Sequence, residues 1–284
     1  MAEKNDGRLE NTGERLLTEV CDNTTLEHLH RYGLATTFCL GKDVLDIASG
    51  EGYGSNILAD SARMVTGVDI SEEAVAHANA KYKDPNVKYL QGSADDIPLE
   101  ENSVDVVVSF ETIEHHSRHQ EMLAEIKRVL RPEGLLIISS PDKLQYTDIL
   151  QANNPYHVKE LYKEEFAALI GNYFQHAEML LQRVVYGSLI VPENDARAFA
   201  EWWGDYDRLS VANELQQPLY NICIASDFPL NPIPVTLYDG AAVFSDLRQW
   251  FEAQRERDIQ TLERSPSYRI GRALTWPVRK LVGK

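Results

Sequence analysis

Two separated stretches of this chain carry side chains that could do chemistry. The first runs from Asp46 to Gly54, where a carboxylate ends an apolar run and Gly50, Gly52 and Gly54 follow at alternate positions. Glycine has no Cβ, so such a turn bends sharply and lets a ligand approach the backbone where the next helix presents its positive end. That is a cradle for a nucleotide-type cofactor. Asp46 would repel a pyrophosphate but could anchor a cationic amino-acid group through water or backbone. Asp69 ends a second apolar run, where a carboxylate can accept hydrogen bonds from both hydroxyls of a ribose. The second stretch is Ser109-Phe110-Glu111-Thr112-Ile113-Glu114-His115-His116. Glu111 and His115 are proton acceptors, and histidine titrates near neutrality, which suits a general base. Further along, His157 in Asn153-Asn154-Pro155-Tyr156-His157-Val158-Lys159-Glu160 is another base candidate. Glu114, His115, His116 and His119 raise the question of a metal. Adjacent histidines at a helix start point in different directions and no second ligand cluster is evident, so no metal site is expected.

Positioning these residues requires an ordered frame, and the patterning supplies one. Val44 to Ala48, Met64 to Ile70, Val87 to Gln91, Val104 to Phe110 and Leu135 to Ser139 read as strands. Helical segments lie between them at 53–60, 72–82 (with Ser71 as N-cap) and 120–130, and a turn at Arg131-Pro132-Glu133-Gly134 precedes the fifth strand. This alternation implies right-handed crossovers, a parallel sheet covered on both faces, and a ligand site at the carboxyl ends of its strands. Before it, Glu14 to Val20 and Leu26 to Leu40 have helical spacing and read as a lid, with Glu27, His28, Arg31 and Tyr32 on a solvated face or a ligand entrance. After Pro141 come a loop, a helix over Lys159 to Gly171, and β-rich runs over Ala177 to Val191 and Leu219 to Ser226. These runs are expected as a long-looped antiparallel pair at the sheet edge. The polar, Trp-bearing stretch Pro192 to Gln217 separates them, and Gly240 to Leu262 is helical and highly charged.

The chain has 284 residues, enough for one full-sized α/β domain plus an appendage. A net charge of −16 argues against broad phosphate-backbone contact, so no nucleic-acid partner is expected. No apolar run approaches the roughly 20 residues of a spanning helix and no signal-peptide pattern opens the chain, which points to the cytoplasm. Cys21, Cys39 and Cys223 are few, odd in number and far apart, which fits reduced thiols. The end of the chain is a local exception to the acidic balance. Arg269 to Val282, wound as a helix, puts Ile270, Leu274, Val278, Leu281 and Val282 opposite Arg269, Arg272, Arg279 and Lys280, although Pro277 would kink it. Such a helix could lie on an anionic membrane or a partner, which gives a protein peripheral at the inner face.

With these residues in view, roughly residues 41 to 226 resemble the class I S-adenosylmethionine-dependent methyltransferases. Leu45 to Gly54 is similar to the family's acidic-x-G-x-G-x-G pattern, with Ala48 in place of the first glycine, a conservative change in size. The resemblance implies a Rossmann-like, mostly parallel seven-stranded sheet with helices on both faces. It implies three parts: an N-terminal helical lid (1–40), the methyltransferase domain (41–239) and a C-terminal charged helix with the basic tail (240–284). S-adenosylmethionine is the implied cofactor, bound through Asp46, Ala48, Ser49, Gly50 and Gly52, through Asp69 and Ile70, through Ser93, Ala94 and Asp95 on the adenine side, and through Phe110. Glu111 and His115 then face the methyl group and the acceptor. Asn-Pro-Tyr follows the fifth strand here, not the fourth, so it does not match the amino-group motif of adenine methyltransferases. It is similar instead to a Pro-Tyr-His-Val-Lys-Glu segment in methyltransferases of bacterial surface-glycan clusters, and the tail resembles the ends of O-antigen assembly enzymes. The expected acceptor is therefore a sugar or glycolipid, with residues 265–284 docking to a membrane surface or a glycan-assembly enzyme. A small-metabolite methyltransferase and a catalytically silent scaffold are the alternatives.

Overall fold

The computed structural model describes residues 15–18, 23–184, 188–193, 201–204 and 209–240. The charged helix and basic tail expected beyond Gly240 lie outside the described residues, as does Cys21. Five strands, β1 (Asp43–Ile47), β2 (Met64–Asp69), β3 (Val87–Gln91), β4 (Val104–Ser109) and β5 (Leu130–Pro141), alternate with α2 (Tyr53–Ala59), α3 (Glu72–Lys81) and α4 (His119–Val129) after an opening helix α1 (Asn23–Cys39). Each matches an apolar run or a helical spacing in the sequence. Ser71 caps α3, its hydroxyl accepting from the Ala74 N–H at 3.2 Å. The four residues read as a turn before the fifth strand stay within β5 as a bulge, since pairing moves from Val104–Leu130 directly to Val106–Leu135.

The second half departs from expectation. The sheet has nine strands in the order β11-β7-β6-β10-β5-β4-β1-β2-β3, mixed in direction, where seven mostly parallel strands were expected. The single β run read over Ala177 to Val191 is two strands, β6 (His176–Val184) and β7 (Ser188–Pro192), paired antiparallel. β10 (Tyr220–Ser226) inserts antiparallel between β5 and β6, and β11 (Thr236–Tyr238) covers the edge of β7. The three-residue β11 is too short to stand out by pattern, yet it pairs a row of N–H and C=O groups that an open edge would leave exposed. Within the Trp-bearing stretch, β8 (Glu201–Gly204) and β9 (Leu209–Ala212) form a separate two-stranded ribbon. Helix α5 is Lys163–Gly171 and starts four residues later than expected, because the N–H groups of Val158 and Lys159 are drawn to the Glu114 carbonyl at 2.8 and 3.0 Å.

Strand alternation divides the core between the two faces of the sheet. Val44, Val106, Val108, Ile137, Ile222 and Ile224 pack on one side with Tyr32, Leu34 and Leu58 of α1 and α2. Leu45, Ile47, Val107, Leu136, Ile138 and Cys223 pack on the other with Met122, Ile126 and Phe166 of α4 and α5. Helix α1 is thus part of the packed layer. Glu27, Arg31 and Tyr32, read as a solvated or ligand-facing stripe, are buried. Arg15 to Thr18 carry no helix, in contrast to the helical reading of Glu14 to Val20. Cys39 and Cys223 are buried free thiols.

Candidate functional site

The parallel strands β1 to β5 end on one edge of the sheet, and the nominated residues sit at or just beyond those ends. Asp46 shares the α1 face with Val44 and is fully buried. Its carboxylate accepts the Ser55 hydroxyl at 2.7 Å and the Tyr32 hydroxyl at 3.2 Å. Burial raises its pKa to about 7, against the two hydrogen bonds, which lower it, with a smaller upward push from Asp69. It anchors α1 and α2 to β1, a role that needs no ligand.

The turn after Asp46 places Ala48, Gly50 and Gly52 at φ of 55°, 55° and 98°. Of Gly50, Gly52 and Gly54, only Gly50 opens toward free space, where an added Cβ would meet nothing closer than 4.0 Å. A Cβ on Gly52 would stand 2.8 Å from that of Ala78, and one on Gly54 2.0 Å from the Tyr32 ring. Protein packing already demands those two glycines. The Gly50 and Ser71 N–H groups donate to the two oxygens of Asp69, at 2.8 and 2.9 Å. The Ser49 and Ser109 hydroxyls, at the ends of β1 and β4, are buried and make no hydrogen bond. Unsatisfied buried hydroxyls beside an open Gly50 and a fixed carboxylate suit a polar nucleoside carrying an amino-acid group. Ile70, 73% exposed beside Asp69, offers an apolar surface for a base. In the next loop Ser93 donates to Asp95, whose other oxygen pairs with Arg118 at 2.6 Å. Those two contacts, the Ser93 bond foremost, hold the Asp95 carboxyl below its ordinary pKa. Asp95 is already engaged within the protein before any base is bound.

Beyond β4 the arrangement changes. The Phe110 ring meets Tyr32 edge-on at 5.1 Å. Glu111, at φ 49°, is ion-paired with Arg31 and accepts the Ser139 hydroxyl at 2.6 Å. Arg31 is fully buried and lies 4.6 Å over the Tyr220 ring, and its Nε donates to the Glu27 carbonyl at 3.2 Å. Both partners meet the same carboxylate oxygen, Oε1, which is thereby occupied within the protein. Sequence reading placed Arg31 on a solvated face or a ligand entrance, and left Ser139 out of the site. The available signal was the Glu27/Arg31 pair, one helical turn apart on the stripe that also carries Leu34 and Ala35.

Glu114 is 1% exposed and neither of its carboxylate oxygens makes a hydrogen bond. Burial, then the charge of Glu111, raises its pKa well above the usual carboxylate range. Its carbonyl staples the loop after β5 in place, which brings His157 beside His115, with ring centroids 5.2 Å apart and edge-on. The His157 tautomer follows from its neighbours. The Tyr156 N–H donates to Asn154 Oδ1 at 3.0 Å, which orients the amide so that its Nδ2 donates to His157 Nε2, also at 3.0 Å. The ring proton therefore sits on Nδ1, facing Glu160, and the lone pair on Nε2. One ligand atom each from Glu114, His115 and His157 lies within 4.8 Å of the others. The fold thus assembles a second ligand cluster that the sequence did not reveal, since 42 residues separate the two histidines. His116 and His119 are not in it. His116 turns to the Met122 sulfur at 3.2 Å, and His119 is buried on α4.

Comparison with known proteins bears on the cofactor end first. Residues 45–138 match the methyltransferase domain family. That match and the named relatives support a methyltransferase domain that uses S-adenosylmethionine. A probable S-adenosylmethionine-dependent methyltransferase of Mycolicibacterium smegmatis is 37% identical over 162 residues, 56% of this chain and 62% of that protein. The phthiotriol/phenolphthiotriol dimycocerosates methyltransferase 1 of Mycobacterium ulcerans is 30% identical over 142 residues, 49% of each chain. The chain thus spans less than two thirds of the length of these curated relatives. Among solved structures, an S-adenosylmethionine-dependent methyltransferase of Thermotoga maritima, described as a possible histamine N-methyltransferase, superposes with a TM-score of 0.52 at 16% identity. That match covers 72% of this chain and 90% of the other, and at such identity the likeness is one of fold. Among the described residues, no helix is long and apolar enough to cross a membrane.

Proposed function

We propose that this chain methylates an oxygen of a sugar or sugar-linked group on a lipid-borne acceptor, with S-adenosylmethionine as donor. One observation carries the cofactor half: the turn after β1 leaves Gly50 open and ties its N–H to Asp69, with the Ser49 and Ser109 hydroxyls still unsatisfied. Bound there, the cofactor supplies an electrophilic methyl on a positively charged sulfur. Transfer of that methyl to an acceptor hydroxyl would release the hydroxyl proton, which the chain's own side chains would have to take up. Of the groups beyond β4 and β5, the His115 and His157 cluster suits that proton, while Glu111 is engaged by Arg31. The chain otherwise aligns the reactants and excludes water.

A lipid-borne acceptor is favoured by the rim of the site. Leu144, Ile149, Leu150 and Val158 are 45%, 53%, 62% and 63% exposed, on the same segment as Tyr146 and His157. Such apolar exposure beside a polar cluster suits a molecule with a polar head and an apolar tail better than a nucleotide sugar. The match to a methyltransferase of phthiotriol dimycocerosates points the same way. On this reading the basic run within 265–284 holds the protein at a membrane surface.

Isothermal titration with S-adenosylmethionine, followed by radiolabelled methyl transfer into glycolipid and nucleotide-sugar fractions, tests the proposal. Label in the glycolipid fraction supports it. Label only in nucleotide sugars or small metabolites overturns the acceptor, and binding without transfer to any acceptor leaves a scaffold.

A further inference from the structure

Most buried polar groups of this molecule are answered from within. Asp46, Asp69, Glu51 and His30 all have partners; the Glu51 carboxylate, for example, accepts the Tyr82 and Thr18 hydroxyls at 2.7 and 3.1 Å. Among the described residues Glu114 is a carboxylate 1% exposed, with both oxygens unbonded, beside two imidazoles. Leaving such a group unsatisfied is unfavourable, so its persistence calls for a partner.

From this geometry we propose that Glu114, His115 and His157 bind one divalent first-row transition-metal ion. Two imidazole nitrogens and one carboxylate oxygen make a mixed donor set that suits Zn²⁺, Mn²⁺, Fe²⁺ or Co²⁺ better than Ca²⁺ or Mg²⁺, which favour oxygen ligands. The spacing is close to what one ion requires. Donor atoms about 2.1 Å from a shared ion lie at most ~4.2 Å apart, and the three here fall within 4.8 Å, so a small side-chain rotation closes the set. The surroundings are also those of a ligand sphere. Glu160 receives the His157 Nδ1 proton, which fixes the lone pair on Nε2, the arrangement that commonly orients a metal-bound histidine. Asn154 Nδ2, now on Nε2, is the group the ion displaces.

Three protein ligands leave coordination positions open. They lie beside the end of β4, where the acceptor must sit if the methyl-transfer reading holds, and the ion's role in catalysis rests on that reading while its binding does not. An acceptor hydroxyl taken into an open position becomes more acidic, as bound water does on zinc. Its proton then passes to solvent, with the imidazoles acting through the metal.

The test uses the full chain, freed of metal by chelation and titrated with Co²⁺ and then Zn²⁺. The expected result is one ion per chain, visible Co²⁺ absorption bands of nitrogen ligation, and displacement of Co²⁺ by Zn²⁺. His157→Ala and Glu114→Gln should each weaken binding about tenfold or more, Glu160→Gln by about 10–100-fold as an outer partner, and His116→Ala not at all. Because the Glu114 and His157 side chains are both largely buried, circular dichroism of each variant accompanies the titration, and only variants that keep the folded spectrum are scored. Binding no tighter than ~1 mM, or binding undiminished in both His157→Ala and Glu114→Gln, overturns the site. Titration of the same samples with S-adenosylmethionine keeps the two proposals apart. Cofactor bound without metal defeats the metal site alone, and metal bound without cofactor defeats the methyl-transfer reading alone.

Discussion

The cofactor end and the acceptor end of this site are built by different means. At the ends of β2 and β3, acidic groups are answered first by neighbours close in sequence or by backbone: Asp69 by the N–H groups of Gly50 and Ser71, and Asp95 by Ser93, with Arg118 on its other oxygen. Beyond β4 and β5, the corresponding groups depend on distant elements or on nothing. Glu111 is held by Arg31 from α1 and Ser139 from β5, and the Glu114 carboxylate makes no hydrogen bond. Local, backbone-made contacts survive changes elsewhere in the chain, whereas long-range pairs and an unsatisfied carboxylate tie the acceptor end to the packing of α1 and the loop after β5. The cofactor end is thus a set piece, and on the proposed reading the acceptor end is where substrate and specificity enter.

The severest test of that contrast is Arg31→Ala. Removing a fully buried guanidinium leaves Glu111 without its counter-ion in a largely dry setting, a loss of roughly 3–5 kcal/mol. Urea unfolding measures it, and adding Glu111→Gln should restore part of the loss. A deficit below ~1 kcal/mol, the range of an exposed pair, would mean that the acceptor end does not lean on α1.

Asp46 gives the cofactor end its own signature with pH. Its folded pKa, about 7, lies above that of an unfolded aspartate, so the folded state holds the proton more tightly. The stability this contributes is complete below the unfolded pKa, declines as pH rises toward the folded one, and is gone above it. Between pH 5 and pH 7 the decline amounts to roughly 2 kcal/mol. Asp46→Asn should lack it, as judged from unfolding free energies of both proteins at the two pH values. Asp95 and Asp227 have lowered pKa values and titrate below this window. Equal pH dependence in the two proteins would remove Asp46 as a buried, proton-holding group. Asp69→Ala carries the contrast into binding: with the Gly50 anchor and the ribose carboxylate both gone, S-adenosylmethionine affinity should fall by about 30-fold, or ~2 kcal/mol, in a calorimetric titration. Unchanged affinity would place the ribose elsewhere.

The parallel half of the fold was legible because strands buried on both faces are short, nearly continuous apolar runs. Val44 to Ile47 and Val104 to Val108 announce themselves, and Ser71 marks the start of α3. The antiparallel half was not, because a hairpin whose two arms are both β-rich has no break in hydrophobicity. The reversal between Val184 and Ser188 reads as one long run, and three-residue β11 leaves no pattern at all. The site divides the same way. Asp69 and Gly50 are visible because local backbone geometry dictates their residue types. Arg31, Ser139 and the meeting of Glu114 with His157 come from tertiary packing across tens of residues, which spacing along the chain does not encode.

Ala48 offers the smallest and sharpest check on the cofactor end. The sequence pattern treats alanine for glycine here as a matter of size, but the residue is exposed and its φ is +55°, so the backbone matters more. An L-residue in the left-handed region is strained by roughly 1–2 kcal/mol, and glycine escapes that strain while losing more chain entropy on folding. The difference should leave Ala48→Gly more stable by about 0.5–1 kcal/mol in thermal or urea unfolding. No packing is forfeited, because the methyl group faces solvent. If the variant is instead less stable, the methyl group makes a contact that outweighs the strain. The turn after β1 would then depend on side-chain contacts much as the acceptor end does.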